Sequence, residues 1–200
     1  MKEPNQILGL ILILMFGCNL KNNVKEPKLD VSTLKLETLE DKKNYLEKIL
    51  EDDQKFRGSQ DSEIMLKYGK DSDEFRKFIQ KRSNQDSINL SKIEKYFEIY
   101  GYPNKNELGE IAAFTPWAVI HHANTYEERE RNFQKLYEAY LNKNIDDASI
   151  SRFLGRMYRI KNGELLRMEG PFKSEDEINQ LINKLNLEEK KTKALKSVDL

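Results

Sequence analysis

Apolar residues recur at helical spacing through most of the chain, and this periodicity limits the fold more than any other feature of the sequence. In the first such segment, Leu46, Ile49 and Leu50 share one side of a helix predicted over residues 38–57. The same spacing predicts further helices at residues 74–81, 87–100, 108–122, 126–141, 147–157 and 174–185. We therefore expect a single all-α, orthogonal or bundle-like domain over residues 38–187, with at most a minor β element at 164–168.

Capping and helix-breaking residues suggest where these helices begin and end. Asp86 or Ser87 is expected to cap the helix that stops at Gly101. Residues 108–122 are apolar almost all round, so this segment is predicted to be the buried central helix. The charged tail at residues 188–200 is expected to fray.

Composition excludes several classes of function. The 200 residues include 34 basic and 34 acidic side chains, and this neutral balance argues against a nucleic-acid binder. The single cysteine rules out an internal disulfide and a cysteine-based zinc site. Since there are only two histidines, His121 and His122, and neighbouring helical residues point about 100° apart, we predict neither a metal centre nor another cofactor.

The N-terminus has the features of a secretory signal. A short polar start containing Lys2 precedes the apolar residues 7–16, which end at Gly17 and Cys18. Ten helical residues span about 15 Å, half of the roughly 30 Å hydrocarbon core of a bilayer. The alternative is a buried N-terminal helix with an incidental cysteine, but such a helix should show polar residues at 3.6-residue spacing, and this segment shows none.

The segment that ends at Cys18 resembles the lipobox of bacterial lipoproteins. Its sequence is Leu-Met-Phe-Gly-Cys. The resemblance implies that residues 1–17 are removed and that acyl chains are attached to Cys18, anchoring the protein to a membrane without a spanning helix. Residues 18–37 then form a flexible tether. Asn19 is compatible with the outer membrane of a Gram-negative bacterium, by analogy with other lipoproteins.

Three polar residues interrupt the apolar faces of the predicted helices. Asp53 and Arg57 fall within the stripe of the first helix, one turn apart, and His122 lies on an apolar face of the central helix. In one interpretation, Asp53 and Arg57 form a buried ion pair and His122 is a core histidine. In the other, they line a pocket where Asp53 orients His122 as a base and Arg57 holds an anion. Because structural ion pairs often imitate functional sites, the sequence favours the first.

Other charged residues and motifs add little on their own. Arg152, Arg156 and Arg159 form a stripe that is typical of a solvated surface paired with nearby glutamates, with a phosphate or carboxylate site as the less common alternative. The alternating charges of residues 127–131 predict a solvated helix face. The sequence contains no glycine-rich phosphate loop, serine-centred elbow or HExxH zinc motif.

Several short motifs follow one another in an order that resembles an uncharacterised bacterial domain family. The matching residues are Asp53, Gln54, Arg57, Asn89, Gly101, Pro103, Gly109, His122, Ala123 and Arg156. Members of the family carry DQxxR, a GxP turn, a QHAD-like segment, a DR pair and a terminal YGTQ, and the similarity covers residues 46–170. It implies that Asp53, Arg57, His122 and Arg156 belong to one site, with Gln54 as a further ligand-binding residue. It implies no reaction.

This chain departs from the family pattern at three places. Asn124 and Gly155 stand where the family has acidic residues, and the YGTQ motif is reduced to Met-Glu-Gly-Pro at residues 168–171. If the family site is catalytic, these departures imply a weakened or repurposed site.

Three hypotheses about function follow from the sequence. The first is a lipid-anchored envelope protein that binds an envelope protein or a small anionic ligand. The second is a hydrolase-like enzyme in which His122 is the acid/base, Asp53 orients it, and Arg57 with Arg156 binds the anionic group. The third is a structural lipoprotein. An enzyme requires an open polar cleft near His122, an interaction module requires an exposed apolar patch, and a structural protein requires neither.

Overall fold

The computed structural model describes residues 34–167 and 174–198. These residues form nine α-helices and no strand, which confirms the predicted all-α domain. The signal segment, Cys18, most of the predicted tether and the motif at 168–171 lie outside the described residues. No helix in the described ranges combines the length and the apolarity needed to cross a membrane.

The helices follow one another with short connections. They are α1 (Leu39–Gln54), α2 (Gln60–Tyr68), α3 (Asp73–Tyr100), α4 (Lys105–Leu108), α5 (Glu110–His122), α6 (Tyr126–Leu141), α7 (Asp147–Asn162), α8 (Ser174–Leu185) and α9 (Glu188–Val198). The first begins where the sequence predicts it, because Thr38 and Asp41 form a reciprocal capping box.

Helix α5 is the centre of the domain, as its apolar composition predicts. It packs against α1, α3, α4, α6 and α7, and nine of its 13 residues are buried. It is shorter than the predicted segment at residues 108–122. Gly109 adopts a φ of 84°, which separates the short α4 from α5, so that the central helix begins at Glu110.

The two helices predicted at residues 74–81 and 87–100 are one helix, α3. Ser72 caps its N-terminus by accepting a hydrogen bond from the backbone N–H of Phe75, and the helix then runs for 28 residues. The prediction that Asp86 or Ser87 caps a new helix is therefore wrong. No glycine or proline interrupts the segment, and its apolar residues on either side of Asp86 maintain one buried stripe: Phe78, Leu90, Ile93 and Phe97.

Both ends of the described chain are held by the domain. Residues 188–198 form α9, which packs on α6, instead of the predicted frayed tail. Leu187 and Ala194 are fully buried, and Lys190 donates to the backbone oxygen of Glu130 at 2.9 Å. At the other end, the hydroxyl of Tyr100 accepts from the backbone N–H of Leu36 at 2.7 Å, so residues 34–37 are fixed rather than part of a free tether.

Candidate functional site

Asp53 and His122 form a hydrogen-bonded pair that joins α1 to the C-terminal end of α5. The side chain of Asp53 is fully buried, and Nδ1 of His122 lies 3.0 Å from Oδ2 and 3.2 Å from Oδ1 of that carboxylate. An ionised carboxylate only accepts hydrogen bonds, so this contact assigns the ring proton to Nδ1. In the neutral ring, the other nitrogen, Nε2, is then the proton acceptor.

Asp53 accepts hydrogen bonds from two further side chains. Arg57 donates through Nε and Nη2, both at 3.1 Å, and Gln54 donates through Nε2 at 2.8 Å. Burial by itself would raise the pKa of Asp53, but the hydrogen bonds from His122 and Arg57 hold that pKa below its ordinary value. The carboxylate is therefore ionised at neutral pH, as the orientation of His122 requires.

Arg57 also contacts a second carboxylate, that of Asp86 on α3. Its Nη2 donates to Oδ1 of Asp86. Burial raises the pKa of Asp86 to about 6, because the favourable charge of Arg57 only partly offsets the loss of water and the nearby charge of Asp53. The guanidinium of Arg57 thus lies between two carboxylates, that of Asp53, which is ionised at neutral pH, and that of Asp86, which titrates about one pH unit below neutrality.

These groups open onto a cleft of about 1000 Å³ beside His122. Its walls come from α3, the end of α5, the start of α6, and α7 with the residues that follow it. Arg57, which follows α1, and Glu177 of α8 complete the lining. Six guanidinium groups line it, against the two carboxylates Asp86 and Glu177; they are Arg57, Arg82, Arg129, Arg152, Arg156 and Arg159. Asp53 lies behind this lining, and Gln54 contacts Asp53 rather than the cleft.

The arginine stripe of α7 has a different environment from the predicted one. Arg152, Arg156 and Arg159 are exposed, as expected, but none of them forms an ion pair with a carboxylate of the described residues. All three side chains line the cleft. Partial burial and the nearby charge of Arg57 lower the pKa of Arg156. The cations of the stripe therefore repel the cations of the opposite wall.

Arg129 is the largest fully buried side chain among the described residues, which corrects the predicted solvated face at residues 127–131. It donates to the backbone oxygens of Thr125 and His121, both at 3.0 Å, but its Nε has no partner in the described part of the chain. Burial lowers the pKa of Arg129 to about 10, so it is charged at neutral pH. A buried cation without a carboxylate is costly, and an anion in the cleft would offset that cost.

His121 differs from His122 although both side chains line the cleft. Its ring stacks on Trp117 with centroids 4.9 Å apart, is 9% exposed, and has no hydrogen-bond partner at Nδ1 within the described ranges. Burial and the nearby charge of Arg156 lower the pKa of His121 to about 3, so its ring is neutral. Within the residues that the structure describes, no cluster of three or more histidine, cysteine, aspartate or glutamate residues could hold a metal ion.

Asn124 and Gly155, two positions singled out in the sequence, have visible roles. The side chain of Asn124 accepts a hydrogen bond from the hydroxyl of Ser83 and donates to the backbone oxygen of Ser83 and the hydroxyl of Ser87, which ties the α5–α6 connection to α3. Gly155 lines the cleft, and a Cβ at this position would meet open space. An acidic side chain there would add negative charge next to Arg156, so glycine leaves the cleft more cationic.

The structure brings together four residues that stand out in the sequence and adds Arg82 and two buried charged residues that do not. Arg57, His122 and Arg156 line the cleft, and Asp53 supports them from behind. Asp86 and Arg129 are the two buried additions. Each lies at helical spacing from buried apolar residues, Asp86 with Leu90 and Ile93, and Arg129 with Phe133 and Leu136. Asp53 stands out in the sequence because a charged residue interrupts an apolar helical stripe, and the same criterion applies to Asp86 and Arg129.

Comparison of the chain with protein-family models, with curated proteins and with solved structures gives no match. The arginine-lined cleft and the Asp53–His122 pair therefore carry the functional argument.

Proposed function

We propose that the protein is a lipid-anchored envelope protein whose helical domain binds a small anionic ligand in the cleft beside His122. The observation that carries this proposal is the set of six guanidinium groups around one cleft, four of which have no carboxylate partner among the described residues. The whole chain is neutral, so this local excess of positive charge is not a consequence of composition.

Guanidinium groups are well suited to phosphate and carboxylate ligands. They donate in a rigid fork, and a charge-assisted hydrogen bond contributes about 1.5–3 kcal/mol when both partners leave water. A structural lipoprotein needs neither an open cleft nor unpaired cations, so the observation weighs against that hypothesis.

The proposal of a lipid anchor rests on the lipobox resemblance at Cys18. It predicts that cells expressing the protein incorporate labelled palmitate into it and that Cys18→Ala abolishes this labelling. Labelling of the Cys18→Ala variant would contradict the anchor.

Calorimetric titration of the purified protein with inorganic phosphate and pyrophosphate tests the binding proposal. Arg156→Gln should weaken binding about tenfold or more, since losing about 1.4 kcal/mol of binding free energy corresponds to a factor of ten. Arg76→Gln is the matched control, because Arg76 is exposed on α3 outside the cleft and paired with Asp73. Absence of binding in the unmodified protein, or equal losses in the two variants, would contradict the proposal.

The Asp53–His122 pair favours hydrolysis as a second candidate function. With Nδ1 held by Asp53, Nε2 of His122 can take a proton from water as the water oxygen attacks an anionic ester, and can return that proton to the leaving oxygen. Arg57 and Arg156 would hold the anionic group. In the same preparations, hydrolysis of p-nitrophenyl phosphate should be lost in His122→Gln while phosphate binding is retained. Binding without hydrolysis in the unmodified protein would assign the site to binding alone.

A further inference from the structure

The cleft is much larger than a simple inorganic anion requires. Its volume of about 1000 Å³ lies at the upper end of the roughly 300–1,000 Å³ range of sites for small organic molecules. A phosphate ion has only five heavy atoms, and a water molecule takes about 30 Å³ in the liquid. An inorganic anion on the arginines would therefore leave most of the cleft to water.

Part of the cleft lining is apolar and exposed. Ile160 at the end of α7 is 42% exposed, and Leu165 beyond it is 63% exposed. Ile79 on α3 is half-buried and lines the same cleft. Removing apolar surface from water contributes about 25 cal/mol per Å², so these side chains would favour a ligand that covers them.

The charged and the apolar lining residues follow one another along α7. Arg152 and Arg156 precede Ile160 by two turns and one turn, which corresponds to about 12 Å and 6 Å of helix. Leu165 follows the turn at Gly163, which also lines the cleft. The cationic groups thus run along α7 from Arg152 to Arg159, and the apolar groups begin directly after them, at Ile160, and continue past the end of the helix.

From this arrangement we infer that the ligand is an amphiphilic anion, with a phosphate or carboxylate head on the arginines and an apolar body over Ile160 and Leu165. The inference rests on the proposed function and names the chemical class of its ligand. Both halves of such a ligand find a complementary surface within the one cleft.

A series of monoalkyl phosphates of increasing chain length, titrated below their aggregation concentrations, tests this inference. Affinity should exceed that of inorganic phosphate and should rise with each added methylene by up to about fourfold, the factor that full burial of a methylene gives. Ile160→Ser and Leu165→Ser should flatten this dependence while leaving the affinity for inorganic phosphate unchanged. Leu66→Ser on α2 is the matched control, since Leu66 is 83% exposed and outside the cleft.

The outcomes separate this inference from the proposed function. Phosphate binding without any gain from the alkyl chain, or a gain that survives in Leu165→Ser and Ile160→Ser, would overturn the amphiphile and keep the anion site. If the unmodified protein binds neither inorganic phosphate nor the alkyl phosphates, both the amphiphilic ligand and the anion site are overturned.

A second arm distinguishes a free amphiphile from a bilayer lipid. It uses Cys18→Ala protein, which cannot carry the proposed acyl anchor, with phosphatidylcholine vesicles that contain or lack phosphatidic acid, and compares it with the same protein carrying Arg156→Gln. Vesicle binding that requires phosphatidic acid and Arg156 would assign the head group to a membrane lipid. Binding to dissolved alkyl phosphates alone would assign it to a free amphiphile.

Discussion

Two buried carboxylates on either side of Arg57 ionise differently because they have different hydrogen-bond partners. Asp53 accepts from His122, Arg57 and Gln54, and these contacts outweigh the cost of burial, so its pKa is lowered. Asp86 accepts from Arg57, and burial raises its pKa to about 6. The pair shows that the number of donors, rather than depth alone, decides which carboxylate remains charged.

Asp86→Asn should stabilise the domain at pH 7.5. The folded-state pKa of Asp86, about 6, lies above its ordinary value of 3.8, so its contribution to stability is complete below pH 4 and is lost as the pH rises through 6. An uncharged asparagine avoids that loss, which is on the order of 3 kcal/mol for a shift of about two pKa units. Urea unfolding at pH 7.5 and pH 4 should show a higher free energy of unfolding for the variant only at pH 7.5.

Asp53→Asn is the matched comparison for this prediction. The pKa of Asp53 is lowered, so its contribution to stability is present above the ordinary value and is lost as the pH falls. This variant should therefore be less stable than the unmodified protein at pH 7.5. If Asp86→Asn is also destabilising at pH 7.5, the account of the two carboxylates is wrong.

Some of the site residues can be identified from the sequence, and others cannot. Asp53, Arg57 and His122 stand out because they interrupt apolar stripes. Asp86 interrupts one equally, but the polar run at residues 83–87 favoured a helix cap. Arg129 has charged neighbours on both sides in the sequence, which is typical of an exposed segment. The spacing of residues along a helix predicts the direction of a side chain but not whether other helices bury it.

Helix positions were largely predictable because local signals agree with the packing. Thr38 and Thr125 form capping boxes, Asp146 caps α7, and Gly101 ends α3. Helix α2, which buries none of its side chains, was not predicted. The continuous α3 and the helical tail were not predicted either. In both cases burial against other helices decides the outcome, and a local pattern of polar residues does not contain that information.

Helix α9 should contribute measurably to the stability of the domain. Ala194 is fully buried where α9 packs on the domain, so Ala194→Asn would place a larger polar group without a partner in that contact and should lower the free energy of unfolding by about 1–3 kcal/mol. Lys196→Asn introduces the same residue on the exposed side of α9 and should change it by less than about 0.5 kcal/mol. Urea unfolding measures the free energy of unfolding of both variants. If both differ negligibly from the unmodified protein, residues 188–198 fray as the sequence predicts.

The cleft belongs to the whole molecule and could not be derived from any one segment. Its arginines come from positions between 57 and 159, and they meet only because α5 holds α1, α3, α6 and α7 around itself. The net charge of the whole chain is zero, so composition does not predict that six arginines lie around one cleft. The fold class was accessible from the sequence because it depends on periodicity, whereas the site depends on how the helices cross.

The central claim is that the Asp53–His122 pair and the arginines form one anion-binding site, and an NMR titration of the His122 ring with phosphate tests it most directly. Proton–nitrogen spectra should show the His122 signals shifting and saturating at the phosphate concentrations found by calorimetry. Arg156→Gln should require at least about ten times more phosphate, and Arg76→Gln should follow the unmodified protein. If phosphate binds while the His122 signals stay unchanged, or if all three proteins titrate alike, the cleft is not the anion site.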